Sequence, residues 1–202
     1  MEPNLLIGRV MLRKLLKVSA FSAWFSFAIS GAAAQKVIHA YAGIVSAVNQ
    51  VSGTITVTAD DSSSEVFKDP GETKSSSLLD KKLRDGLVPM NTVKEKGTYV
   101  IVYYFSDGPD RLAIGLRNLG PGPFIEEIGK IVKIQNHAIV IRGQSGAVQS
   151  FNVNADTIAE ASVGAVGGSK YQPEKGDQVR VTATAAEKGA ANALFIDGTV
   201  VD

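Results

Sequence analysis

The chain has 202 residues, of which 45% are hydrophobic and 20% are charged, and its formal net charge is +1 at pH 7. This composition is ordinary for a globular protein. The absence of cysteine excludes disulfide bonds, thiolate metal sites, a cysteine nucleophile and a lipid-modified cysteine. The fold must therefore be stabilised by the burial of apolar side chains.

The first 34 residues have the pattern of a secretory signal peptide. Basic residues precede an apolar run at 18–29, and Ala32-Ala33-Ala34 supplies the small side chains that a signal peptidase reads. We expect cleavage before Gln35 and a periplasmic or secreted protein, with Met11 as an alternative start. An uncleaved membrane anchor is the other possibility, although the apolar run is shorter than the roughly 20 residues of a spanning helix. Without the first 34 residues the chain has 17 basic and 19 acidic side chains, which argues against a nucleic-acid partner.

Residues 37–119 form the predicted first module. Alternating apolar residues separated by turn residues predict its five strands, at 37–49, 54–58, 65–67, 98–105 and 111–117. Between the third and fourth strands, Ser75 to Leu87 is predicted to form one or two turns of helix, which Ser76 or Ser77 can cap and Gly86 ends. Gly120-Pro-Gly-Pro123 is the predicted linker, because alternating Gly and Pro can continue neither a helix nor a ladder.

Residues 124–202 form the predicted second module, which repeats this order. Its strands are predicted at 127–135, 138–142, 149–153, 178–185 and 193–200. Ala155–Lys170, rich in Gly, Ala and Ser, takes the place of the helix, and we expect a loop or a weak helical turn there.

Two motifs occur once in each module. Gly43-Ile-Val45 corresponds to Gly129-Lys-Ile131, and Glu95-Lys-Gly-Thr-Tyr-Val-Ile-Val102 corresponds to Glu174-Lys-Gly-Asp-Gln-Val-Arg-Val181. Five strands with a helical or irregular segment between the third and fourth are typical of an OB-like barrel. The sequence therefore predicts an all-β protein of two tandem five-stranded OB-like small barrels, with a short helix in the first, after an N-terminal signal peptide.

In these motifs the chain resembles bacterial exported domains of unknown function that contain small OB-like barrels in tandem. The shared features are a G-x-V near the first strand and a K-G-x-x-V-x-V near the fourth. The resemblance covers residues 43–200. It implies the fold and a location in the cell envelope, and it implies no reaction.

Comparison of the two modules separates inward from outward positions on the fourth strand. The shared valines are predicted to point inward: Val100, Val102, Val179 and Val181. The outward face of the second module carries polar residues that suit water: Gln178, Arg180 and Thr182. The outward face of the first module carries large apolar or aromatic residues, which we call the aromatic face: Tyr99, Ile101, Tyr103 and Phe105. Either the other module or the leucine-bearing helix covers this face, or it binds a protein, peptide or glycan.

Other candidate sites have weaker patterns. His39 and His137 have no Asp, Glu or His at ligand spacing, so we expect solvent-exposed structural roles and no metal or cofactor. Asp60-Asp61 with Glu65 lacks the spacing of a calcium loop. Lys81-Lys82 with Arg84 is interpreted as the solvated face of the helix. Residues 164–168 lack the Lys-Ser/Thr of a phosphate loop and are interpreted as a flexible loop.

These observations favour a non-catalytic binding or structural module of the bacterial cell envelope, with an envelope protein, peptide or glycan as partner. The alternative is an enzyme acting on envelope polymers through loop carboxylates, for which Asp60, Asp61, Asp107 and Asp110 are the candidates. A third hypothesis is that the pair of barrels belongs to a larger assembly, which forms through exposed edge strands.

Overall fold

The structure is a computed structural model that describes residues 36–71, 79–185 and 189–200. Residues 35–202 belong to one compact unit. The predicted signal peptide, and Ser75 to Leu78 of the predicted helix with its candidate caps Ser76 and Ser77, lie outside the described residues.

The first module is a closed antiparallel barrel with one parallel seam. Its elements are β1 (His39–Asn49), β2 (Thr54–Thr58), β3 (Ser64–Lys68), α1 (Lys81–Arg84), β4 (Leu87–Val88), β5 (Tyr99–Asp107) and β6 (Asp110–Gly120). β1 pairs with β2 and β5, β2 with β3, and β5 with β6. A parallel contact between Lys68 and Leu112 joins β3 to β6 and closes the ring, while the short β4 extends the edge of β6.

The second module follows the same path. Its elements are β7 (Phe124–Gln135), β8 (Ala138–Gly143), β9 (Val148–Asn152), β10 (Ile158–Ala161), β11 (Gly164–Gly167), β12 (Gln178–Thr184) and β13 (Ala191–Asp197). β7 pairs with β8 and β12, β8 with β9, and β12 with β13, and the parallel pair of β9 and β13 again joins the third and fifth strands of the barrel. The predicted fold of two tandem OB-like barrels is confirmed.

Two glycines at the same place in the two modules explain how the first strand bends around each barrel. A side chain at Gly43 would lie 2.3 Å from the carbonyl oxygen of Thr58, and one at Gly129 would lie 2.2 Å from that of Arg142. Both distances are far below van der Waals contact, so neither position accepts a Cβ without a shift of backbone. Each glycine is followed within two residues by a register shift between the first two strands of its barrel.

The segment between the third and fourth strands differs between the modules. In the first, α1 is a single turn that Asp80 caps by accepting a hydrogen bond from the Lys82 amide at 2.7 Å, and Gly86 follows it with φ +72°. In the second, the expected weak helical turn is present at Gly168–Lys170, but the loop expected over the rest of the Ala155–Lys170 segment is wrong. It contains the hairpin β10–β11, and β10 adds to the barrel by pairing in parallel with β13.

Each barrel has its own apolar core, and a third apolar cluster lies between the two. The four valines predicted to point inward are fully buried in the barrel cores. The third cluster draws on both modules: Ala40, Ala42, Leu79, Leu83, Tyr99, Ile101, Tyr103, Phe105, Ile114, Ile158 and Phe195. The predicted linker, with glycines at φ +88° and +86°, connects β6 directly to β7.

Candidate functional site: the junction between the barrels

The aromatic face of the first module lies inside this third cluster. Tyr99, Ile101, Tyr103 and Phe105 are between 0% and 5% exposed. Ile158 of β10 and Phe195 of β13 belong to the same cluster, as do two leucines at and beside α1. Both proposed covers, the second module and the leucine-bearing segment, are therefore present. The aromatic face is internal and offers no surface to a ligand in this arrangement.

The outward face of β12 is also buried, and the expectation that it suits water is wrong for two of its three residues. Arg180 is 3% exposed and Thr182 is 1% exposed. Both lie against the first module, where they find hydrogen-bond partners. A buried polar group without a partner costs free energy, so these partners are what allows the polar strand to be covered.

A hydroxyl and carboxyl network joins β5 to the second module. The Tyr99 hydroxyl donates to Asp60 Oδ2 at 3.0 Å and lies 2.9 Å from the Thr182 hydroxyl. Glu126, which pairs with Thr182 across β7 and β12, lies close enough to Asp60 to share a hydrogen bond. Burial, and then the neighbouring Asp60 carboxyl, raise the pKa of Glu126 to about 7. Burial likewise raises the pKa of the Tyr99 phenol, so this phenol stays neutral.

Arg180 is the charged centre of the junction. Its guanidinium donates to Asp61 Oδ2 of the first module at 2.6 Å and to Asp197 Oδ2 of its own module at 2.7 Å. The Tyr41 ring lies 5.8 Å from the guanidinium carbon, within reach of a cation–π contact. Burial would raise the pKa of Asp61, but hydrogen bonds from Ser63 and the charge of Arg180 outweigh it and lower that pKa.

His39 and Glu160 form a second polar contact across the junction. His39 Nδ1 lies 2.7 Å from Glu160 Oε1, and the Ala40 amide donates to Glu160 Oε2 at 2.7 Å. The His39 ring also packs against Tyr104, with centroids 5.4 Å apart. Burial raises the pKa of Glu160, although its hydrogen bonds oppose the shift. No local spacing could have predicted this pair, because 121 residues separate the partners.

The β10–β11 hairpin is itself part of the junction. The Ala165 amide donates to the Ile38 carbonyl at 2.7 Å, and a side chain at Gly164 would meet that same carbonyl at 2.4 Å. The glycine-rich segment expected to be a flexible loop is therefore strand β11, held against the start of the first module. Gly164 has φ +102°, which also favours glycine.

Contacts at α1 complete the junction. Lys170 pairs with the Asp80 carboxylate, and the Arg117 guanidinium donates to the carbonyls of Asp85 and Asp156 at 2.8 and 3.1 Å. Lys81, Lys82 and Arg84 are exposed, in agreement with a solvated helix face.

The remaining candidates are not brought together. Asp107 and Asp110 are exposed, and the Asp110 carboxylate lies 3.7 Å from Lys68 Nζ. The Glu65 carboxylate lies 2.7 Å from the Arg111 guanidinium, so it is paired with a cation instead of being grouped with Asp60 and Asp61 as in a calcium loop. His137 is exposed in the turn between β7 and β8. The described part of the chain contains no group of three His, Cys, Asp or Glu side chains arranged to hold a metal ion.

Four clefts lie away from the junction, and one of them, of about 540 Å³, is at the β7–β8 turn beside His137. Two occupy the same end of each barrel, about 470 Å³ beneath Met90 in the first module and about 340 Å³ beside Tyr171 in the second. Because both modules have a cleft at this end, we attribute these two clefts to the barrel fold. The remaining cleft, about 690 Å³, lies on the second module between Arg142 and Lys175.

No protein-family model matches the chain, and no curated protein matches it with significance. Within residues 36–71, 79–185 and 189–200, no helix has the length and apolar character needed to cross a bilayer.

Proposed function

We propose that the chain is an exported, non-catalytic binding module of a bacterial cell envelope, in which two barrels act as one rigid body. The observation that carries the proposal is that the polar groups at the junction are bonded to one another. Asp60, Asp61, Arg180 and Asp197 hold the barrels together by hydrogen bonds and ion pairs. The contact between the barrels therefore accounts for these groups without a reaction.

Export is supported by the position of the first strand. The compact unit begins at Gln35, where the signal peptide is predicted to be cleaved, and β1 begins four residues later. Cleavage there would leave every described strand intact. A basic and then apolar leader followed by small residues is what the export machinery reads.

The alternative function is hydrolysis of an envelope polymer. It is favoured by one observation, the Asp60–Glu126 pair, in which a pKa of about 7 suits a general acid or base. Glycosidase carboxyls lie about 5–9.5 Å apart so that they flank the scissile bond, whereas these two are within hydrogen-bonding range. None of the four clefts away from the junction is lined by either residue.

One experiment separates the two functions. The full chain is expressed in a bacterium, recovered from the periplasm or medium, sequenced at its N-terminus and mixed with an insoluble envelope fraction. We expect a chain that begins at Gln35, sediments with the envelope fraction and releases no reducing ends or soluble fragments.

Other outcomes count against the proposal. Retention of the protein in the cytoplasm, or failure to sediment with any envelope fraction, would overturn it. Release of fragments that Glu126→Gln abolishes would establish the hydrolase instead. Lys133→Gln, a change of an exposed residue of β7, is the matched control for the effect of substitution itself.

A further inference from the structure

The 690 Å³ cleft of the second module differs from the other clefts in its charge. Three basic side chains line it, from β7, β8 and the turn before β12: Lys130, Arg142 and Lys175. Within the described residues, neither Arg142 nor Lys175 has an ion-pair partner. The chain without its predicted signal is acidic overall. Two cations without an ion-pair partner, Arg142 and Lys175, in one cleft of such a protein favour an anionic ligand.

The first module shows that the fold does not require this charge. The positions equivalent to Lys130 and Arg142 carry Ile44 and Thr58, as the two close-packed glycines show when the modules are aligned on them. Lys175 has its counterpart in Lys96 of the other K-G motif. Two of the three cations are therefore specific to the second module, so they are not explained by the architecture of the barrel.

The same cleft contains a buried acceptor without a donor. Gln178 Oε1 is shielded from solvent and has no hydrogen-bond partner among the described residues. Gln178 lines the cleft and pairs with Lys130 across β7 and β12. A buried acceptor left unpaired costs about 1–3 kcal/mol, so this amide is a weak point of the cleft wall rather than a contact already open to a ligand.

The floor of the cleft is largely apolar, although the Glu127 carboxylate lies over Gly143, one of the floor residues. Ile131, Val132 and three glycines line it. A volume of about 690 Å³ far exceeds that of a single small anion and is in the range of clefts that hold organic ligands. The C–H face of a sugar ring fits such a floor, while its hydroxyls and an acidic substituent meet the polar groups.

We infer that this cleft binds an acidic oligosaccharide, with Arg142 and Lys175 on its anionic groups. The inference deepens the proposed function, because it rests on an envelope-binding role and names a substrate class and a site for it. Carboxylated and phosphorylated sugars share the required chemistry.

The test measures binding to residues 35–202 by calorimetry. The probes are tetragalacturonate, a phosphorylated oligomannose of similar length and the neutral maltotetraose. We expect one or both acidic probes to bind, with an affinity that falls as salt rises, and maltotetraose to bind at least about 10-fold more weakly. The acidic probe that binds more tightly identifies the anionic group.

Variants locate the site. Arg142→Thr introduces the residue that the first module has at this position, and Lys175→Gln removes the second cation. Each should weaken acidic-probe binding by about 10-fold or more, since a hydrogen bond to a charged group contributes roughly 1.5–3 kcal/mol. Lys96→Gln is the matched control and should change the affinity less than about 2-fold. Unchanged thermal unfolding would show that each variant folds.

Two results would overturn the inference. The first is that neither acidic probe binds; the sedimentation experiment would then still test the proposed function separately. The second is equal weakening by Lys96→Gln and Lys175→Gln, because it would show attraction to net charge rather than binding in this cleft.

Discussion

Two buried tyrosines on one strand are expected to respond in opposite directions to the same change. Tyr99 and Tyr103 both belong to the apolar cluster between the barrels and are 2% and 0% exposed. The Tyr99 hydroxyl has two hydrogen-bond partners. The Tyr103 hydroxyl is buried without a partner among the described residues, and burial raises its pKa to about 12. We therefore expect Tyr103→Phe to stabilise the protein and Tyr99→Phe to destabilise it.

The magnitude follows from the cost of a buried polar group. Removing an unpaired hydroxyl recovers about 1–3 kcal/mol of desolvation free energy while the ring stays in place. For a chain of this length each kcal/mol shifts Tm by roughly 2–4 °C, so Tyr103→Phe should raise Tm by several degrees. Tyr99→Phe should lower it by a similar amount, since Asp60 and Thr182 each lose a partner.

Thermal unfolding of residues 35–202, followed by circular dichroism and calorimetry at pH 7, measures both changes. Tyr104→Phe, on the same strand but half-buried, gives the effect of removing a hydroxyl that bonds to Arg111 at a less covered position. If Tyr103→Phe left Tm unchanged or lowered it, the hydroxyl would have a stabilising partner in solution. The free-energy cost assigned to the buried Tyr103 hydroxyl would then be wrong.

Two further predictions concern the charges of the junction. The pKa of Glu126 is raised to about 7 from the ordinary value, so the folded state binds its proton more tightly than the unfolded state does. Its contribution to stability is present below about pH 4.5 and is lost as the pH rises through 7. Urea midpoints measured from pH 5 to 8 should therefore fall less steeply in Glu126→Gln than in the unmodified chain; parallel curves would contradict this. Arg180→Met should lower the free energy of unfolding in guanidinium by roughly 3 kcal/mol, because it leaves Asp197 buried beside an unneutralised Asp61. Arg180→Lys should lose less, and a loss below about 0.5 kcal/mol for the methionine variant would show that the ion pairs do not hold the junction.

The fold could be predicted from the sequence because its determinants are local and occur twice. Alternation along Thr54–Thr58 defines β2 to the residue, and the two K-G motifs identify the inward valines of the fourth strands. The hairpin β10–β11 could not be predicted in this way. Five of its eight strand residues are Gly or Ala, its strands are four residues long, and its order depends on pairing with β13 more than thirty residues later. Such a segment has little propensity of its own and takes its structure from its neighbours.

The environment of the polar strand β12 could not be predicted from either module alone. Comparison of the modules identifies which side chains point out of a barrel, and it identified them correctly. It cannot tell whether an outward side chain meets water or the other barrel. Arg180 and Thr182 are polar because Asp61 and the Tyr99 hydroxyl approach them from across the junction. The two outward faces meet at Tyr99 and Thr182, while Ile158 of β10 and Phe195 of β13 pack against the apolar side chains, so each outward face makes physical sense only in the presence of the other module.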